Sequence, residues 1–491
     1  MTGAQLNIAN GVREFARATP DAIAVIDGDR RLDYAALDDR SSRLAQALLA
    51  AGLAPGDPVA VLSGNRLEYC EIAAGLAKAG MPMVPLNPRQ TLADTAYIAG
   101  HCDPKAIILD PALEDRAVDP GFTLRLGAEY EAAIENAAAT DPAVRVDEHD
   151  PFCIAYTSGT TGAPKGVLIS HRSRVLTFYC TALEWGLGPG RRTIAVAPMY
   201  HGAGFAFAYA AVFTGGTVSM LRAWDPQTLL RMVERDRPQS VFLVPTHAVG
   251  LREVGLQGKL DSLETLYFNA AALPVALKEW VLDSFPGVGV HELYGSTEAG
   301  VVTDLRPVDA RRKAGSVGHP WFMTEIRVVD DEGHPVPPGT PGELYSRSPF
   351  LMNGYLGNPA ATAGCTTPDG FLTSGDVVVV DDEGFVTIVD RKKDMIITGG
   401  VNVYPRDVEE ALAAHPAVVE AAVVGERDDR WGERIVAYVV AREEGLEPGA
   451  LLEHLRPRLA GHKVPKEFRM IAALPRNAAG KVLKRELRST G

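Results

Sequence analysis

The chain has 491 residues, of which 46% are hydrophobic and 23% are charged. These are ordinary values for globular proteins, and the length predicts at least two domains. The net charge of −13 argues against binding of nucleic-acid phosphates over the whole surface, although one local site could hold a phosphate compound. The five cysteines are scattered without a CxxC spacing. This argues against a disulfide framework or a zinc site and predicts a reducing, cytoplasmic location.

Neither a signal peptide nor a membrane span is predicted. Residues 1–10 contain no basic segment and no apolar segment of the kind that signal peptides carry. Residues 194–221 contain no Asp, Glu, Lys or Arg and are long enough to cross a bilayer. Because this stretch holds Pro198, His201 and several glycines, we interpret it as a strand, a loop, a buried helix and a turn.

Short apolar runs alternate with amphipathic stretches over the first part of the chain. The pattern predicts helices at residues 40–51, 67–79 and 91–99 and strands at residues 58–62, 83–85 and 106–109. Such alternation is typical of α/β folds with largely parallel sheets covered by helices.

The pattern changes after about residue 320. Strands at 325–329 and 377–380 are each followed by an acidic turn, which predicts hairpins in a small β-rich region. A charged segment at 390–394 precedes an α+β unit with helices at 405–414 and 450–460 and strands at 418–424, 435–440 and 468–471. We place the domain boundary at this charged segment, which gives an N-terminal domain at 1–389, a hinge at 390–394 and a C-terminal domain at 395–491.

Residues 156–166 form a glycine-rich loop after an apolar, strand-like run at 152–155. Its three glycines let backbone N–H groups approach an anion, and its hydroxyls and Lys165 add donors. The spacing differs from GxxxxGK[ST], so this is not a Walker A loop. A flexible linker is the alternative, but a linker needs neither the preceding strand nor the apolar continuation at 167–169.

This loop resembles the signature loop of the adenylate-forming superfamily, which contains acyl-CoA synthetases, peptide-synthetase adenylation domains and luciferases. Further motifs recur in the family's order over nearly the whole chain. The resemblance implies an α/β fold: a large N-terminal domain of two parallel-rich sheets with helices and a small β-rich subdomain, then a small mobile α+β domain. It also implies that these loop residues bind ATP: Thr157, Ser158, Gly159, Thr160, Thr161, Gly162 and Lys165.

The segment at 294–300 resembles a second family motif and follows a predicted strand at 288–293. The resemblance implies that Tyr294 contacts adenine, that Thr297 contacts the α-phosphate and that Glu298 binds Mg²⁺. Gly295 is also expected to bind ATP. Family members often carry an amide at the position of Glu292. A carboxylate there can accept from the exocyclic amine of adenine but cannot donate, so that contact stays open.

The acyl pocket is implied by two further segments. Residues 269–274 resemble a small-residue segment beside adenine and the acyl group, and residues 197–204 resemble the segment at the pocket mouth. A lone histidine in an apolar run is also consistent with a core residue. The residues assigned are Ala270, Ala271 and Ala272 for ATP, and His201, Gly204, His247, Ala270, Gly295 and Ala299 for the pocket. No Asp lies at 200–212, which argues against an α-amino acid substrate.

The remaining motifs lie toward the C-terminus. Residues 374–376 resemble the ribose motif, so Asp376, together with Arg391, is expected to bind ribose. Lys393 falls at the family's hinge position. Gly399, Gly400 and Asn402 resemble the loop that lines the pantetheine channel of CoA, and Lys481 resembles the catalytic lysine.

The resemblance implies a two-step reaction with ATP, Mg²⁺ and CoA. A carboxylic acid attacks the α-phosphate of ATP, pyrophosphate leaves, and the thiol of CoA then takes the acyl group. Lys165, Thr297, Glu298 and Lys481 are the expected catalytic residues. An enzyme that loads a separate carrier protein and a non-catalytic nucleotide-binding protein are the alternatives. The sequence does not specify the acid, and it leaves a homodimer open.

Overall fold

The structure is a computed structural model that describes residues 5–157, 164–428, 430–442, 445–476 and 482–488. The chain divides into two compact units. The first comprises residues 1–326 and 346–372, and the second comprises residues 327–345 and 373–491. The predicted hinge at 390–394 falls inside the second unit and stays a prediction.

A nine-stranded sheet forms one half of the first unit. Its six central strands are parallel, and antiparallel strands flank them at both edges. In sheet order the strands are His319–Pro320, Gly300–Leu305, Gly289–Ser296, Thr265–Phe268, Ser240–Leu243, Arg192–Ala195, Thr217–Met220, Ile23–Asp27 and Arg30–Asp33.

A seven-stranded sheet forms the other half. Five of its strands are parallel, and two antiparallel strands complete one edge. In sheet order the strands are Gly354–Tyr355, Lys165–Ser170, Pro151–Thr157, Met83–Leu86, Val59–Leu62, Ala106–Leu109 and Thr123–Arg125. The prediction of two parallel-rich sheets is confirmed.

Helices connect the parallel strands and bury apolar side chains against both sheets. One core lies between the nine-stranded sheet and the helices at 226–254 and 275–284, and another lies against the seven-stranded sheet. The helices of this unit are Asn10–Ala18, Tyr34–Ala50, Glu68–Ala79, Leu92–Cys102, Ala128–Asn136, His171–Trp185, Gly202–Phe213, Pro226–Asp236, Pro245–Val254, Val275–Ser284 and Pro359–Ala363, with 3₁₀ turns at Pro111–Arg116 and Pro307–Asp309.

The second unit contains two smaller sheets. The antiparallel strands Glu325–Val329, Gly342–Arg347, Leu372–Val380 and Val386–Arg391 form the predicted β-rich region, and most of their residues belong to this unit. A 3₁₀ turn at Lys392–Asp394 leads to a five-stranded sheet with its own apolar core. Its strands are Val401–Val403, Ile396–Thr398, Gly432–Ala441, Val418–Asp428 and Glu467–Met470, and its helices are Pro405–Ala413, Pro448–Leu455 and Lys484–Arg488.

The largest differences in helix ends between prediction and structure occur at two helices. The helix predicted at 40–51 begins at Tyr34, because the side chain of Asp33 caps it by accepting from the N–H of Ala36 at 2.7 Å. The helix predicted at 450–460 is Pro448–Leu455. It ends before Pro457, whose ring lacks an N–H and clashes with the preceding turn.

The charge-free stretch at 194–221 is divided among short elements. Strand Arg192–Ala195 precedes helix Gly202–Phe213, and strand Thr217–Met220 follows where a turn was predicted. The helix is buried from Gly204 to Phe213. Among the described residues, no helix combines the length and the apolar character that crossing a membrane requires.

Candidate active site

The segments predicted to bind ATP and the acid follow four neighbouring parallel strands of the nine-stranded sheet. Parallel strands present their carboxyl ends at one edge of a sheet, where α/β folds bind ligands. In sheet order, Gly289–Ser296 precedes Thr297 and Glu298, Thr265–Phe268 precedes Ala270–Ala272, Ser240–Leu243 precedes His247, and Arg192–Ala195 precedes His201. The fold therefore gathers these predicted site residues at one edge.

Two glycines of this edge are required by close backbone approach. A Cβ at Gly295 would lie 2.0 Å from the carbonyl oxygen of Gly300, and a Cβ at Gly204 would lie 2.0 Å from that of Pro198. Strand Gly289–Ser296 turns directly into the antiparallel strand Gly300–Leu305. Backbone packing thus accounts for both glycines, and their predicted contacts with ligand stay predictions.

Asn65, which the sequence analysis did not select, fixes the segment that leads to His201. Its buried side chain donates to the carbonyls of Ala195 at 2.9 Å, Ala197 at 3.1 Å and Leu221 at 3.2 Å. Its amide oxygen accepts from the N–H of Met199 at 2.7 Å. Asn65 follows strand Val59–Leu62, so it connects the carboxyl ends of strands from both sheets.

Glu292 is a buried carboxylate with two protein donors. Its Oε1 accepts from the N–H of Leu273 at 3.0 Å, and its Oε2 lies 2.5 Å from Nζ of the buried Lys278. Leu273 directly follows the alanine segment 270–272, so Glu292 holds that segment against the neighbouring strand. The predicted adenine contact of Glu292 stays a prediction. Lys278 gave no signal in the sequence, because lysines of amphipathic helices are usually exposed.

Lys165 and Glu298 meet the same side chain, Tyr355. The ammonium of Lys165 lies 4.7 Å from the centroid of the Tyr355 ring, and the Tyr355 hydroxyl donates to Oε1 of Glu298 at 3.0 Å. Burial, followed by the neighbouring Glu298 carboxylate, raises the pKa of Tyr355, so the phenol remains a donor. Tyr355 was not predicted, because its partner Glu298 is 57 residues away in sequence.

The flanks of the glycine-rich loop are held by helix Leu92–Cys102. Nδ1 of His101 lies 2.6 Å from the hydroxyl of Tyr156, and the hydroxyl of Tyr97 donates to the carbonyl of Pro164 at 3.2 Å. The rings of Tyr97 and His101 stack at 6.3 Å. Thr157 ends the strand before the loop. These predicted loop residues lie outside the described part of the chain: Ser158, Gly159, Thr160, Thr161 and Gly162.

The two histidines assigned to the acyl pocket differ in burial. His201 is exposed, whereas His247 is buried and its ring packs against Trp224 at a centroid distance of 4.3 Å and an interplanar angle of 32°. Nδ1 of His247 accepts from the N–H of Val244 at 3.2 Å. Burial lowers the pKa of His247 to about 4, so its ring is neutral near pH 7.

Glu298 supplies the carboxylate oxygen that Mg²⁺ prefers, so the residues present fit the metal that the resemblance implies.

A second group with metal-ligand chemistry consists of Glu184, His291 and Asp304, whose ligand atoms lie within 4.8 Å of one another. Arg306 contacts Glu184 at 2.8 and 3.0 Å, and His291 Nδ1 lies 2.9 Å from Asp304. We interpret this second group as a network of ion pairs and hydrogen bonds, in which His291 and Asp304 are buried.

In the second unit, the structure brings together the two residues predicted to bind ribose. Asp376 and Arg391 are directly opposed on antiparallel strands, and Nε of Arg391 lies 3.2 Å from Oδ1 of the buried Asp376. Lys393 is exposed in the turn that follows. Its hinge role stays a prediction.

Gly399 and Gly400 form the turn of a short hairpin between Ile396–Thr398 and Val401–Val403. Both have positive φ, +59° and +77°, which a two-residue hairpin turn requires. The N–H of Gly399 donates to the carbonyl of Trp431 at 2.7 Å. Both glycines and Asn402 are exposed. Lys481 lies outside the described residues. Arg476 and Val482, the described residues on either side of 477–481, form an antiparallel bridge.

Two family models match this chain. The model described as "AMP-binding enzyme" matches residues 12–356, and "AMP-binding enzyme C-terminal domain" matches residues 407–481. Together they cover the candidate site residues of the chain except Asp376, Arg391, Lys393 and those of the hairpin at 396–403.

Curated relatives and solved structures are similar to this chain over nearly its whole length. A feruloyl-CoA synthase of Amycolatopsis sp is 39% identical over 96% of this chain and 96% of its own length. The fatty acid–[acyl-carrier-protein] ligase ScoC of Streptomyces coeruleorubidus is 35% identical over 96% of this chain and 94% of its own length. The structure of o-succinylbenzoate CoA synthetase (MenE) of Bacillus subtilis with ATP and magnesium ion is 29% identical, with a TM-score of 0.90 over 97% of this chain and 99% of that one.

Proposed function

The chain belongs to the AMP-binding enzyme family, and on this premise we propose that it is an ATP-dependent, AMP-forming acyl-CoA ligase. It activates a carboxylic acid as an acyl adenylate with release of pyrophosphate and then transfers the acyl group to CoA. The observation that carries the proposal is the convergence of the predicted ATP and acid residues at one strand edge, beside the Lys165–Tyr355–Glu298 contact.

Activation is needed because a carboxylate has no good leaving group, whereas an acyl adenylate loses AMP. Negative charge grows at the α-phosphate during attack, so cationic and hydrogen-bonding groups lower the barrier there. Lys165 supplies an ammonium, Thr297 supplies a hydroxyl, and Lys481 supplies a second ammonium. Mg²⁺, which Glu298 would hold, would supply further neutralisation of phosphate charge.

Thioester formation is assigned to residues of the second unit. Gly399 and Gly400 carry no side chain at the exposed hairpin turn, which suits close passage of a narrow thiol chain. Asp376 and Arg391 are proposed to bind ribose, and Lys393 is proposed to act as the hinge. The cytoplasmic location also stays a prediction.

We favour an aryl-substituted acid as the substrate. The relative with 39% identity is named a feruloyl-CoA synthase. In this chain, the exposed ring of Trp224, which packs against the buried His247, offers flat surface at the strand edge where the acid is expected. Stacking on such rings favours aromatic ligands over flexible chains.

A carrier protein is the second candidate acceptor, since the ScoC relative is named an acyl-carrier-protein ligase. The test is a panel of hydroxycinnamic, other aryl, medium-chain and polycyclic acids with ATP and Mg²⁺. Each acid is incubated with CoA, with a holo-carrier protein, or with neither, and AMP, ADP and thioester are quantified.

We expect acid-dependent AMP together with an acyl-CoA that forms fastest from an aryl acid. Thioester on the carrier alone would favour the second candidate. Formation of ADP, or no acid-dependent AMP with any acid, would contradict the proposed reaction.

A further inference from the structure

We propose that Tyr355 is a positioning residue of the adenylation site, whose ring holds the ammonium of Lys165 and whose hydroxyl holds the carboxylate of Glu298. The inference rests on the proposed function, because it assigns Tyr355 to residues that act on ATP and Mg²⁺. It adds a residue that none of the sequence motifs included.

The backbone around Tyr355 is fixed on two sides. The N–H of Met352 donates to the carbonyl of Glu298 at 2.8 Å, which ties this segment to the nine-stranded sheet. The N–H groups of Asn353 and Leu356 donate to the carbonyls of Leu168 and Gly166, each at 2.8 Å, which ties it to the seven-stranded sheet.

Strand pairing and a local hydrogen bond then fix the position of Tyr355 itself. Tyr355 lies opposite Val167 in the antiparallel ladder. Its own N–H donates to Oγ1 of Thr362 at 2.9 Å. A Cβ on the preceding Gly354 would meet the same Thr362 side chain at 3.1 Å. The segment therefore has little freedom to move the Tyr355 ring.

The side chain of Tyr355 joins groups from different sheets. Lys165 begins strand Lys165–Ser170 of the seven-stranded sheet, and Glu298 follows strand Gly289–Ser296 of the nine-stranded sheet. A lysine side chain is flexible, and an ammonium above an aromatic ring is attracted to its negative face. A phenol donating to a carboxylate makes a charge-assisted hydrogen bond and limits the orientations of that carboxylate.

The two contacts can be separated by mutation. Tyr355→Phe keeps the ring beside Lys165 and removes only the hydroxyl that reaches Glu298. Tyr355→Leu removes both contacts. Tyr179→Phe is the matched control, because Tyr179 is an exposed residue of helix His171–Trp185.

The main measurement is the affinity for a non-hydrolysable ATP analogue by calorimetry, with Mg²⁺ and with EDTA in its place. For Tyr355→Phe we expect an unchanged affinity for the analogue in EDTA. The gain in affinity on adding Mg²⁺ should be about tenfold smaller than in the wild type. For Tyr355→Leu we expect a further loss of about threefold that is present also in EDTA. The Tyr179→Phe variant should match the wild type in both conditions.

A double-mutant cycle tests whether the hydroxyl acts through Glu298. In a Glu298→Ala background, Tyr355→Phe should cause no further loss of the Mg²⁺-dependent gain. Two results would overturn the inference. One is a full tenfold loss of the Mg²⁺-dependent gain in affinity when Tyr355→Phe is added to Glu298→Ala. The other is a Tyr355→Phe variant whose Mg²⁺-dependent gain in affinity lies within twofold of that of the wild type. Thermal unfolding of each variant verifies that it is folded.

The outcomes also distinguish this inference from the proposed function. If the wild type forms AMP from an acid and ATP while Tyr355→Phe retains its Mg²⁺ response, only the role of Tyr355 fails. If the wild type forms no AMP from any acid, the proposed function fails, whatever the calorimetry of the variants gives.

Discussion

The strand edge of the first unit and the glycine hairpin of the second unit are held in different ways. At the strand edge, Asn65, Lys278 and Tyr355 fix the segments that carry the predicted ATP and acid residues, and the first two are buried. At the hairpin, Gly399, Gly400 and Asn402 are exposed, and so are the apolar neighbours Ile397, Val401 and Trp431.

This difference matches the two steps of the proposed reaction. Adenylation requires fixed donors around a developing phosphate charge, because groups that are already oriented cost no reorganisation during reaction. Thioester formation requires only space for a narrow thiol chain beside the hairpin backbone, and the two glycines provide that space. We therefore expect mutations of buried anchors to reduce stability and adenylation together, and mutations of the hairpin to affect thioester formation alone.

The largest effect on stability is expected for Lys278→Met. The variant leaves the Glu292 carboxylate buried without its cation, and breaking a buried ion pair on one side costs about 3–5 kcal/mol. Urea unfolding measures this loss. The double variant Lys278→Met/Glu292→Leu should recover most of it. If the free energy of unfolding of Lys278→Met lies within about 1 kcal/mol of that of the wild type, the Lys278–Glu292 ion pair is not needed for stability.

Lowering the pH should decrease the free energy of unfolding, because the buried His247 is neutral in the folded state. Burial lowers its pKa to about 4 from an unfolded value of 6.5, so the folded state binds fewer protons. Its contribution to stability is complete above the unfolded pKa and is lost as the pH falls toward about 4. Between about pH 7.5 and pH 4.5 the loss should be about 2–3 kcal/mol.

Urea unfolding of the wild type and of His247→Gln over this pH range isolates the histidine from other titrating groups. The wild type should lose more stability on acidification than the variant. Parallel pH profiles for the two proteins would show that His247 does not titrate between the folded and unfolded states.

Asn65→Ala should be the next largest change. It leaves the N–H of Met199 and several buried carbonyls without their partner, which costs about 1–3 kcal/mol. The free energy of unfolding and the KM for the acid should both change, because the segment before His201 loses its support. Asn136→Ala is the control, since Asn136 is exposed and its side chain donates to the carbonyl of Ala132, one helix turn away, at 2.8 Å. Equal effects of the two substitutions would contradict the role of Asn65.

Much of the fold and of the candidate site could be predicted from the sequence. Apolar runs located the strands that precede Thr297 and His201, and parallel pairing then places their carboxyl ends at one edge of the sheet. The sequence analysis predicted no strand before Ala270, where the structure has Thr265–Phe268. Lys278 could not be predicted, because lysines of amphipathic helices are usually exposed. Asn65 and Tyr355 could not be predicted, because each one acts over a long sequence distance. Asn65, for example, bonds carbonyls 130 to 156 residues away. Such pairings arise from tertiary packing and leave no periodic signal.

The smallest effect is expected for Tyr97→Phe, which removes one exposed hydrogen bond to Pro164 at the flank of the glycine-rich loop. The free energy of unfolding should stay within about 0.5 kcal/mol of the wild type, and the KM for ATP should rise about twofold. Tyr179→Phe serves again as the control. A tenfold rise in KM would mean that helix Leu92–Cys102 supports the loop far more strongly than this contact suggests.

The most direct test of the account compares both half-reactions in two variants, Glu298→Gln and Gly399→Val. Acid-dependent ATP–pyrophosphate exchange reports adenylation, and acyl-CoA formation from added acyl adenylate reports thioester formation. We predict that Glu298→Gln loses exchange by about 100-fold and retains thioester formation, whereas Gly399→Val shows the reverse. If both variants lose the same half-reaction, or if the wild type shows no exchange with any acid, the account is contradicted.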